Sequence, residues 1–370
     1  MSIYNLPDLR AQIDQLDVEI QSLITQRARL AQQVAQAKNA EKELLHFYRP
    51  EREAEVLRNV MIRNQGPLSN DTLTRMFREI MSACLALQNP LNIAFLGPAG
   101  TYSQAAVYKH FGHAAQNIPL QTIDEVFREV EVGTADYGVV PIENSTEGGV
   151  NQTLDCFVKT PLKICGEIDL PIHHHLLSMV NQLEQVERIY AHPQSFAQCR
   201  GWLDNRLPII ERIAVNSNAE AARRAAKETG AAAIAGKAAA EIYQLQIVAS
   251  RIEDDVNNTT RFAVLGQQKV PLGNDDKITY KTSLLLSNPN KPGALYHLLE
   301  PFANNGVNMT RIESRPSRQG IWDYIFFVDI EGHIKDTPVV KSLQALEKHT
   351  SLIKHLGSYP VINDQLINDQ

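Results

Sequence analysis

Three polar side chains in the first ninety residues lie where apolar residues are expected. Arg27 interrupts an apolar seam, Lys38 follows it by 11 positions, almost three helical turns, and Gln88 follows Cys84 by four. A guanidinium inside an apolar stripe is costly unless it is paired. Together these residues predict a pocket for a small anion. The alternative is a coiled-coil or dimerisation arm whose charges are solvated.

A second candidate is the polar segment 257–262, which ends in Thr260, Arg261 and Phe262. The apolar run 262–265 is typical of a buried strand, so the hydroxyl and the guanidinium lie where a loop meets a strand. Catalytic residues of α/β folds are commonly found at such places. The alternative is a polar turn that ends in a surface arginine.

The first candidate requires a set of helices. No proline or glycine lies between residues 7 and 50, which predicts one long helix opening near Asp8. A second helix is predicted from Pro50 to residues 66–67, and a third with Asn70 as its N-cap. At a rise of 1.5 Å per residue, Arg10 lies about 25 Å from Arg27 along the first helix. Arg10 can therefore serve the same pocket only from a second subunit.

The apolar seam of the first helix follows a 4-3-4-3 spacing with one step skipped at Arg27. Its members are Leu9, Ile13, Leu16, Ile20, Leu23, Leu30 and Val34. The third helix carries a stripe made of Leu73, Phe77, Ile80, Cys84 and Leu87. These stripes predict that the helices pack against each other and against a partner.

Strands and helices alternate in residues 91–270, as in α/β proteins. A strand at 91–96 leads into a Gly-rich loop at 97–103 and a helix, an arrangement that can bind an anion. The loop matches neither the dinucleotide-binding fingerprint nor a P-loop. A strand at 137–142 ends in the polar run 143–149, at the strand end where open α/β sheets bind ligands.

Three consecutive histidines, 173–175, suggest a metal site at first sight. If they form a strand, only His173 and His175 share a side, and the neighbouring sequence offers no carboxylate or thiolate cluster. We therefore predict no metal here. Further along, Ser217-Asn218 is expected to cap a helix at 219–228, followed by a strand at 231–235.

The last hundred residues predict a small α+β module after a polar linker at 271–277. The predicted elements are a strand at 282–286, a helix at 294–304, strands at 307–314 and 321–330, a helix at 337–349 and a last strand before Pro360. This β-α-β-β-α-β order is the ferredoxin-like pattern. A purely structural or dimerising tail is the alternative.

Length and composition limit the possible classes. The chain has 370 residues, 44% hydrophobic and 21% charged, which predicts two or three globular domains. A net charge of −6 argues against a nucleic-acid or membrane-surface binder. There is no long apolar run and no signal-peptide pattern, so we expect a cytoplasmic protein. The cysteines lack CxxC spacing, which indicates reduced thiols: Cys84, Cys156, Cys165 and Cys199.

The helical segment resembles the all-helical class of chorismate mutase, whose members are intertwined dimers. The matching residues are Leu9-Arg10, Arg27, Ala37-Lys38, Arg49-Pro50-Glu51-Arg52-Glu53, Cys84 and Gln88. The family's rearrangement of chorismate to prephenate needs a dianion held in a compact conformer and hydrogen bonds to its ether oxygen. The resemblance implies that Arg27 and Arg10 of the partner subunit bind the two carboxylates. Lys38 and Gln88 would address the ether oxygen.

Four further positions follow from the same resemblance. Glu53 would accept the ring hydroxyl of chorismate, and Arg52 would support the pocket. Arg49 and Cys84 stand where some relatives carry aspartate and serine, and both are candidates for substrate contact. A guanidinium cannot accept the hydroxyl proton, and a thiol is a poorer hydrogen-bond donor than a hydroxyl. We therefore expect Glu53 to accept the ring hydroxyl alone.

Residues 91–270 resemble prephenate dehydratase, a fold of two lobes, as in periplasmic binding proteins, with the site in the cleft. The matches are Gly97-Pro98-Ala99-Gly100-Thr101-Tyr102-Ser103, Val140-Pro141-Ile142-Glu143-Asn144-Ser145, His192-Pro193-Gln194 and Thr260-Arg261-Phe262. The resemblance implies that Thr260 acts as the acid at the leaving hydroxyl, Arg261 binds a carboxylate and Phe262 packs against the ring. A threonine hydroxyl is a weak acid and needs a polarising neighbour or a relayed proton. Further cleft candidates are Glu143, Asn144, Ser145 and His192.

The C-terminal module resembles an ACT domain, a regulatory unit that binds amino acids. Within dehydratases, two motifs of this domain line an L-phenylalanine site between subunits. Both are intact here: Gly293-Ala294-Leu295 and Glu313-Ser314-Arg315-Pro316. The resemblance also implies that Asn308 binds the polar end of the effector.

The resemblances together imply a bifunctional enzyme of phenylalanine biosynthesis. Its modules are expected at residues 1–90, 91–270 and 278–360, in a homodimer or larger homo-oligomer inhibited by L-phenylalanine. No cofactor and no metal is expected. Two alternatives stay open: a mono-functional dehydratase with a degenerate mutase arm, and a non-catalytic binding protein that senses amino acids.

Overall fold

The computed structural model describes residues 5–40, 48–288, 291–316, 324–348 and 350–361. Along these residues the helices are α1 (Leu6–Ala40), α2 (Pro50–Arg63), α3 (Asn70–Ala86), α4 (Tyr102–Phe111), α5 (Ile123–Glu131), α6 (Asn151–Lys159), α7 (Pro193–Gln198), α8 (Arg200–Arg206), α9 (Asn218–Ala225), α10 (Lys237–Tyr243), α11 (Ala294–Asn304) and α12 (Thr337–Leu346). The strands are β1 (Asn92–Leu96), β2 (Gln116–Leu120), β3 (Tyr137–Asn144), β4 (Gly148–Gly149), β5 (Lys163–Pro171), β6 (His175–Ser178), β7 (Arg188–Ala191), β8 (Glu211–Ala214), β9 (Ala231–Ala235), β10 (Gln246–Ala249), β11 (Thr259–Gly266), β12 (Thr279–Asn288), β13 (Met309–Pro316), β14 (Tyr324–Glu331) and β15 (Leu352–Val361).

The N-terminal module consists of α1, α2 and α3. The predicted long first helix is confirmed, since α1 runs without interruption for 35 residues. Helix α2 buries Leu57 completely. The seam of α1, by contrast, is exposed in the single chain: Leu16 is 56% exposed, Leu23 63% and Leu30 61%. A contiguous apolar surface of this length is typical of a protein–protein contact.

The start of α3 differs by one residue from the prediction. Ser69, and not Asn70, is the N-cap, because its hydroxyl accepts a hydrogen bond from the backbone N–H of Thr72 at 3.2 Å. Asn70 is the first helical residue, and its side chain accepts a hydrogen bond from Asn64 at 2.8 Å instead. Serine and asparagine are both good caps, so local sequence could not separate them.

Two lobes follow, each built on its own sheet. The first sheet has the order β2-β1-β3-β11-β5, with β4 paired to β3, and the second has the order β10-β6-β9-β7-β8. The chain leaves the first lobe after β5 and returns as β11, which lies antiparallel between β3 and β5. Residues just before β11 therefore lie where the two lobes meet.

The two faces of β11 belong to different cores. Phe262 and Val264 pack in a cluster with α4 and with Tyr48 of the N-terminal module. Ala263 and Leu265 pack in another cluster with α5, α6 and the C-terminal sheet. Because neighbouring strand residues point to opposite faces, Thr260 shares a face with Phe262, whereas Arg261 points toward the C-terminal module.

The C-terminal module has the sheet order β13-β14-β12-β15. Helices α11 and α12 cover one face with Leu298 and Val339. On the other face, Leu285, Phe327 and Tyr359 join the core of the first lobe. The β-α-β-β-α-β order is confirmed, and so is the predicted fold class of a helical module, a two-lobed α/β unit and a ferredoxin-like α+β domain.

The histidine segment is not the strand that we considered. Strand β5 ends at Pro171 and β6 begins at His175, so His173 and His174 lie in the irregular crossing between the lobes. His174 is the buried member of the three, at 1% exposure. Strand alternation does not apply at this crossing, so the condition for His173 and His175 to share a side is not met.

Candidate active sites

The first site is an open cavity of about 570 Å³ lined by α1, α2, α3 and the end of α4. Six of the predicted residues line it: Arg27, Arg49, Arg52, Glu53, Cys84 and Gln88. Arg10 is exposed near the other end of α1 and is not part of this wall. The side chain of Lys38 lies outside the described residues. The structure thus brings together cations, an amide and a carboxylate from distant parts of the sequence.

Glu53 is held by a cation that the sequence analysis missed. Arg78 of α3 donates from Nε to Glu53 Oε1 at 3.1 Å, and the two side chains are 17% and 15% exposed. Burial raises the pKa of Glu53, and the charge and hydrogen bond of Arg78 oppose that rise. Arg78 lies three residues before Met81 and seven before Leu85, on the face lining the cavity. That spacing is the signal that sequence reasoning could have used.

The α/β unit completes the wall of this cavity. His110 and Phe111, the last residues of α4, line it together with Tyr48. The Tyr48 hydroxyl lies 2.9 Å from His110 Nε2. Burial lowers the pKa of His110 to about 3, so this imidazole stays neutral at physiological pH. Burial likewise raises the pKa of Tyr48. Neither residue was visible as a site residue in the sequence.

The second site surrounds Thr260, at the start of β11. Asn144 Nδ2 donates to Thr260 Oγ1 at 2.8 Å and lies 2.9 Å from Asn258 Oδ1. Asn144 Oδ1 accepts hydrogen bonds from the backbone N–H groups of Thr146 at 3.1 Å and Glu147 at 3.2 Å. These backbone donors fix which end of the amide faces Thr260. Thr260 Oγ1 therefore accepts a hydrogen bond from Asn144, and its own proton is free for another acceptor.

A chain of hydrogen bonds connects this site with the second lobe. Gln198 Oε1 accepts from Asn258 Nδ2 at 3.3 Å and lies 2.9 Å from His174 Nε2. His174 Nδ1 lies 3.0 Å from the Tyr102 hydroxyl. Burial lowers the pKa of His174, and the neutral ring can donate from Nε2 to Gln198. The Tyr102 hydroxyl donates to the backbone carbonyl of His173 at 2.8 Å and lies beside His174 Nδ1. Thr260 and Tyr102 are thus the two ends of one network that spans both lobes.

The residue beside Thr260 points elsewhere. Arg261 faces the C-terminal module. Its guanidinium lies 3.6 Å from Asp169 and from Glu143 of the first lobe, and 3.7 Å from Asp329 of the C-terminal module. Phe262 is 2% exposed and packed in the core. The structure therefore does not place Arg261 at the Thr260 hydroxyl.

Three further cleft candidates have structural contacts of their own. Ser145 Oγ accepts from the backbone N–H of Thr259 at 3.0 Å. His192 caps α7, because its Nδ1 accepts from the N–H of Gln194 at 3.3 Å. Glu143 pairs with Arg311 of β13 at 2.9 Å. Ser145 stays within the Thr260 loop, whereas Glu143 connects that loop with the C-terminal module.

The predicted effector residues occupy two places in the C-terminal module. Gly293 precedes α11 with φ of 81°, a conformation that suits glycine, and Leu295 after Ala294 is 44% exposed. Glu313, Ser314 and Arg315 belong to β13, whose last residues lie at the same sheet end as the start of α11. Asn308 lies five residues before Glu313, about 17 Å away along the strand. Within one chain Asn308 is not beside the other predicted effector residues.

Among the residues described, neither a metal site nor a membrane-spanning helix has support. No three histidine, cysteine, aspartate or glutamate side chains of the described ranges are placed to hold a metal ion. Among the described helices, none is both long enough and apolar enough to cross a membrane.

Known families match the chain in three consecutive segments. The models are chorismate mutase type II at residues 9–89, prephenate dehydratase at 93–270 and the ACT domain at 282–348. A bifunctional chorismate mutase/prephenate dehydratase of Stutzerimonas stutzeri is 53% identical over 359 residues, covering 96% of this chain and 97% of the relative. The chain belongs to the bifunctional chorismate mutase/prephenate dehydratase family. The predicted family and the prediction of both enzymes in one chain are confirmed.

Other relatives extend this comparison. The bifunctional protein of Escherichia coli K12 is 34% identical, covering 96% of both chains. A prephenate dehydratase of Arthrobacter aurescens, solved in complex with L-Phe, is 34% identical with a TM-score of 0.67, covering 74% of this chain and 90% of that one. A structure titled as a novel type of quorum quenching acylase, GqqA, is 31% identical with a TM-score of 0.67, covering 73% of this chain and 98% of that one.

Proposed function

We propose that the cavity of the helical module binds chorismate and converts it to prephenate. The reaction breaks one C–O bond and forms one C–C bond within the same molecule, so no group is transferred to the protein. Arg27 holds one carboxylate, Gln88 donates to the ether oxygen, and Glu53 accepts the ring hydroxyl. The family resemblance adds Lys38 as a second donor to the ether oxygen. The catalytic gain comes from holding a flexible dianion in a reactive conformer and from stabilising charge on the ether oxygen.

The second carboxylate is held by Arg10 of the partner subunit. Arg10 lies about 25 Å from Arg27 by helical rise, too far for one cavity within a chain. The exposed seam of α1 supplies the surface on which a second copy packs, since Leu16, Leu23 and Leu30 are more than half exposed. A homodimer built on α1 therefore both buries this seam and completes the cavity.

At the second site, Thr260 donates the proton with which the ring hydroxyl of prephenate leaves as water. The ring carboxylate leaves as carbon dioxide, its C–C bond electrons form the aromatic ring, and phenylpyruvate remains. One observation carries this assignment: Asn144 Nδ2 donates to Thr260 Oγ1 at 2.8 Å. That hydrogen bond stabilises the negative charge that grows on Oγ1 as the proton departs, which makes a weak acid a better one. Solvent then returns a proton to Thr260.

The C-terminal module senses L-phenylalanine and inhibits the dehydratase. The support is a path of direct contacts between β13 and the loop beside Thr260. Arg311 pairs with Glu313 of the effector motif and with Glu143 at 2.9 Å, and Glu143 precedes Asn144 in β3. The Glu313 carboxylate also lies so close to Gly149 that a side chain at this position would clash with it. An effector that changes the position of Glu313 therefore acts on the loop that orients Thr260.

The alternatives raised by the sequence have less support than the bifunctional enzyme. A decayed mutase arm would not need the lined cavity with its partly buried ion pair, and a pure sensor would not need the oriented Thr260. The acylase relative has the same level of fold similarity as the dehydratase relative. The dehydratase assignment therefore depends on the site residues and not on the fold alone. The buried free thiols Cys165 and Cys199 support the proposed cytoplasmic location.

Separate assays of chorismate loss and prephenate loss on the purified full chain test this function. We expect both substrates to be consumed and phenylpyruvate to form, with the second reaction slowed by L-phenylalanine. Consumption of prephenate alone would support the degenerate mutase arm, and consumption of neither would support the sensor. Prephenate left intact by a folded chain that rearranges chorismate would refute the assignment of Thr260.

A further inference from the structure

Arg78 has no role in the mutase chemistry described above, yet it lines the same cavity. It lies on α3, and Glu53 lies on α2, so their 3.1 Å contact joins the two helices at the cavity wall. Both side chains are more than four-fifths buried. Because little of this ion pair is exposed to solvent, the contact between the two side chains fixes the orientation of both.

Glu53 has two requirements as acceptor for the ring hydroxyl of chorismate. It must be ionised, and one oxygen must face the substrate. Burial works against the first requirement, because a carboxylate that is largely removed from solvent loses part of its hydration. Arg78 meets both, since it supplies a positive charge and occupies Oε1 through Nε. Tyr48 also hydrogen-bonds this carboxylate. Because a carboxylate has about four acceptor positions, it can still accept the substrate hydroxyl.

We propose that Arg78 is a positioning residue of the mutase, which holds the Glu53 carboxylate ionised and aimed at the ring hydroxyl of chorismate. The inference depends on the proposed mutase site and assigns it a further member. It also explains how the pocket works with Arg49 at a position where a second acceptor is otherwise expected. A single acceptor that is fixed in place can replace two that share the task.

The groups around this pair limit what a pH profile can report. Tyr48 faces Glu53 from the segment before α2, and His110 faces the pair from α4. Arg27 of α1, Arg49 just before α2 and Arg52 of α2 line the same cavity. Burial raises the pKa of Tyr48 and lowers that of His110 to about 3, so both stay uncharged over the working range. Of these groups, Glu53 is the one whose titration limits the mutase as the pH falls.

The test compares Arg78→Gln with Arg75→Gln in the full chain. Arg75 lies on the same helix, its side chain is 67% exposed, and it pairs with Asp71 at 3.4 Å, so it controls for loss of one α3 arginine. We expect Arg78→Gln to lower mutase kcat/KM by about 10- to 100-fold, the value of a charge-assisted hydrogen bond. The acid limb of its pH profile moves to higher pH, while dehydratase turnover of prephenate is unchanged.

Two further variants separate positioning from simple stability. Arg78→Lys keeps the charge, so we expect its acid limb to return toward that of the unmodified chain. In the background Glu53→Gln, Arg78→Gln adds little further loss, because the group that it positions is gone. An acid limb identical to that of Arg75→Gln, or additive losses in the double variant, would overturn the inference alone. A parent chain that leaves chorismate untouched would overturn the mutase assignment as well.

Discussion

Replacing Thr260 by valine removes Oγ1, the atom from which the proposed dehydratase mechanism donates a proton. Valine keeps the β-branched shape and removes the hydroxyl, so the strand and the packing of Phe262 stay in place. Loss of a positioned general acid lowers a rate by about 10²- to 10⁴-fold, which is about 3–5 kcal/mol of transition-state stabilisation. The same change removes one partly buried hydrogen bond, from Asn144, at about 1 kcal/mol of folding stability.

The expected loss of activity thus greatly exceeds the expected loss of stability. Asn144 Nδ2 keeps Asn258 Oδ1 as a partner at 2.9 Å, so no buried donor is left unpaired by the change. The matched control is Thr259→Val, one position earlier in β11, whose hydroxyl donates to the backbone carbonyl of Asn257 at 3.3 Å. We expect the control to keep dehydratase turnover within about threefold of the parent.

The assay follows phenylpyruvate formation from added prephenate, and chorismate loss is followed in parallel. Both variants should consume chorismate at the parent rate, since Thr260 lies outside the residues that line the mutase cavity. Thermal unfolding confirms that both are folded. A Thr260→Val chain whose turnover is within about tenfold of Thr259→Val would refute the acid role. Parallel loss of both activities would indicate misfolding.

Three other expectations concern the remaining modules. Lys38→Ala should abolish chorismate loss and leave prephenate turnover intact, as separate substrate assays will show. A 1:1 mixture of refolded Arg10→Ala and Arg27→Ala chains should regain about a quarter of the mutase activity. Half of the dimers are then mixed, and each mixed dimer has one intact site of two. No regain would show that Arg10 does not contribute to the site of the partner subunit. Arg311→Gln should weaken inhibition of the dehydratase by L-phenylalanine while leaving its binding, measured by calorimetry, detectable; unchanged inhibition would exclude the Glu143 path.

The sequence was sufficient for elements whose signal is local. The proline at residue 50 begins α2, and Ser217 caps α9 as expected. The prediction for Asn70 missed by one position because Ser69 beside it is an equally good cap. The sequence left open whether residues 172–174 form a strand, because an apolar residue followed by histidines has no distinctive period.

The sequence predicted which residues belong to the sites, but not the directions in which their side chains point. Thr260 and Arg261 are adjacent, and the motif suggested one joint task, yet strand alternation sends them to opposite faces. The pairing of Arg78 with Glu53 joins residues 25 positions apart, and that of Tyr48 with His110 joins residues 62 apart. Contacts of this kind depend on how the modules pack, which no local pattern encodes.

Helix α4 belongs to both halves of the enzyme at once. Its first residue, Tyr102, lies in the cleft network with His174, and its last two, His110 and Phe111, form the back of the chorismate cavity. A gene cut after residue 90 would therefore encode a mutase with a missing wall and with Tyr48 uncovered. In this chain the dehydratase domain therefore supplies part of the wall of the mutase cavity.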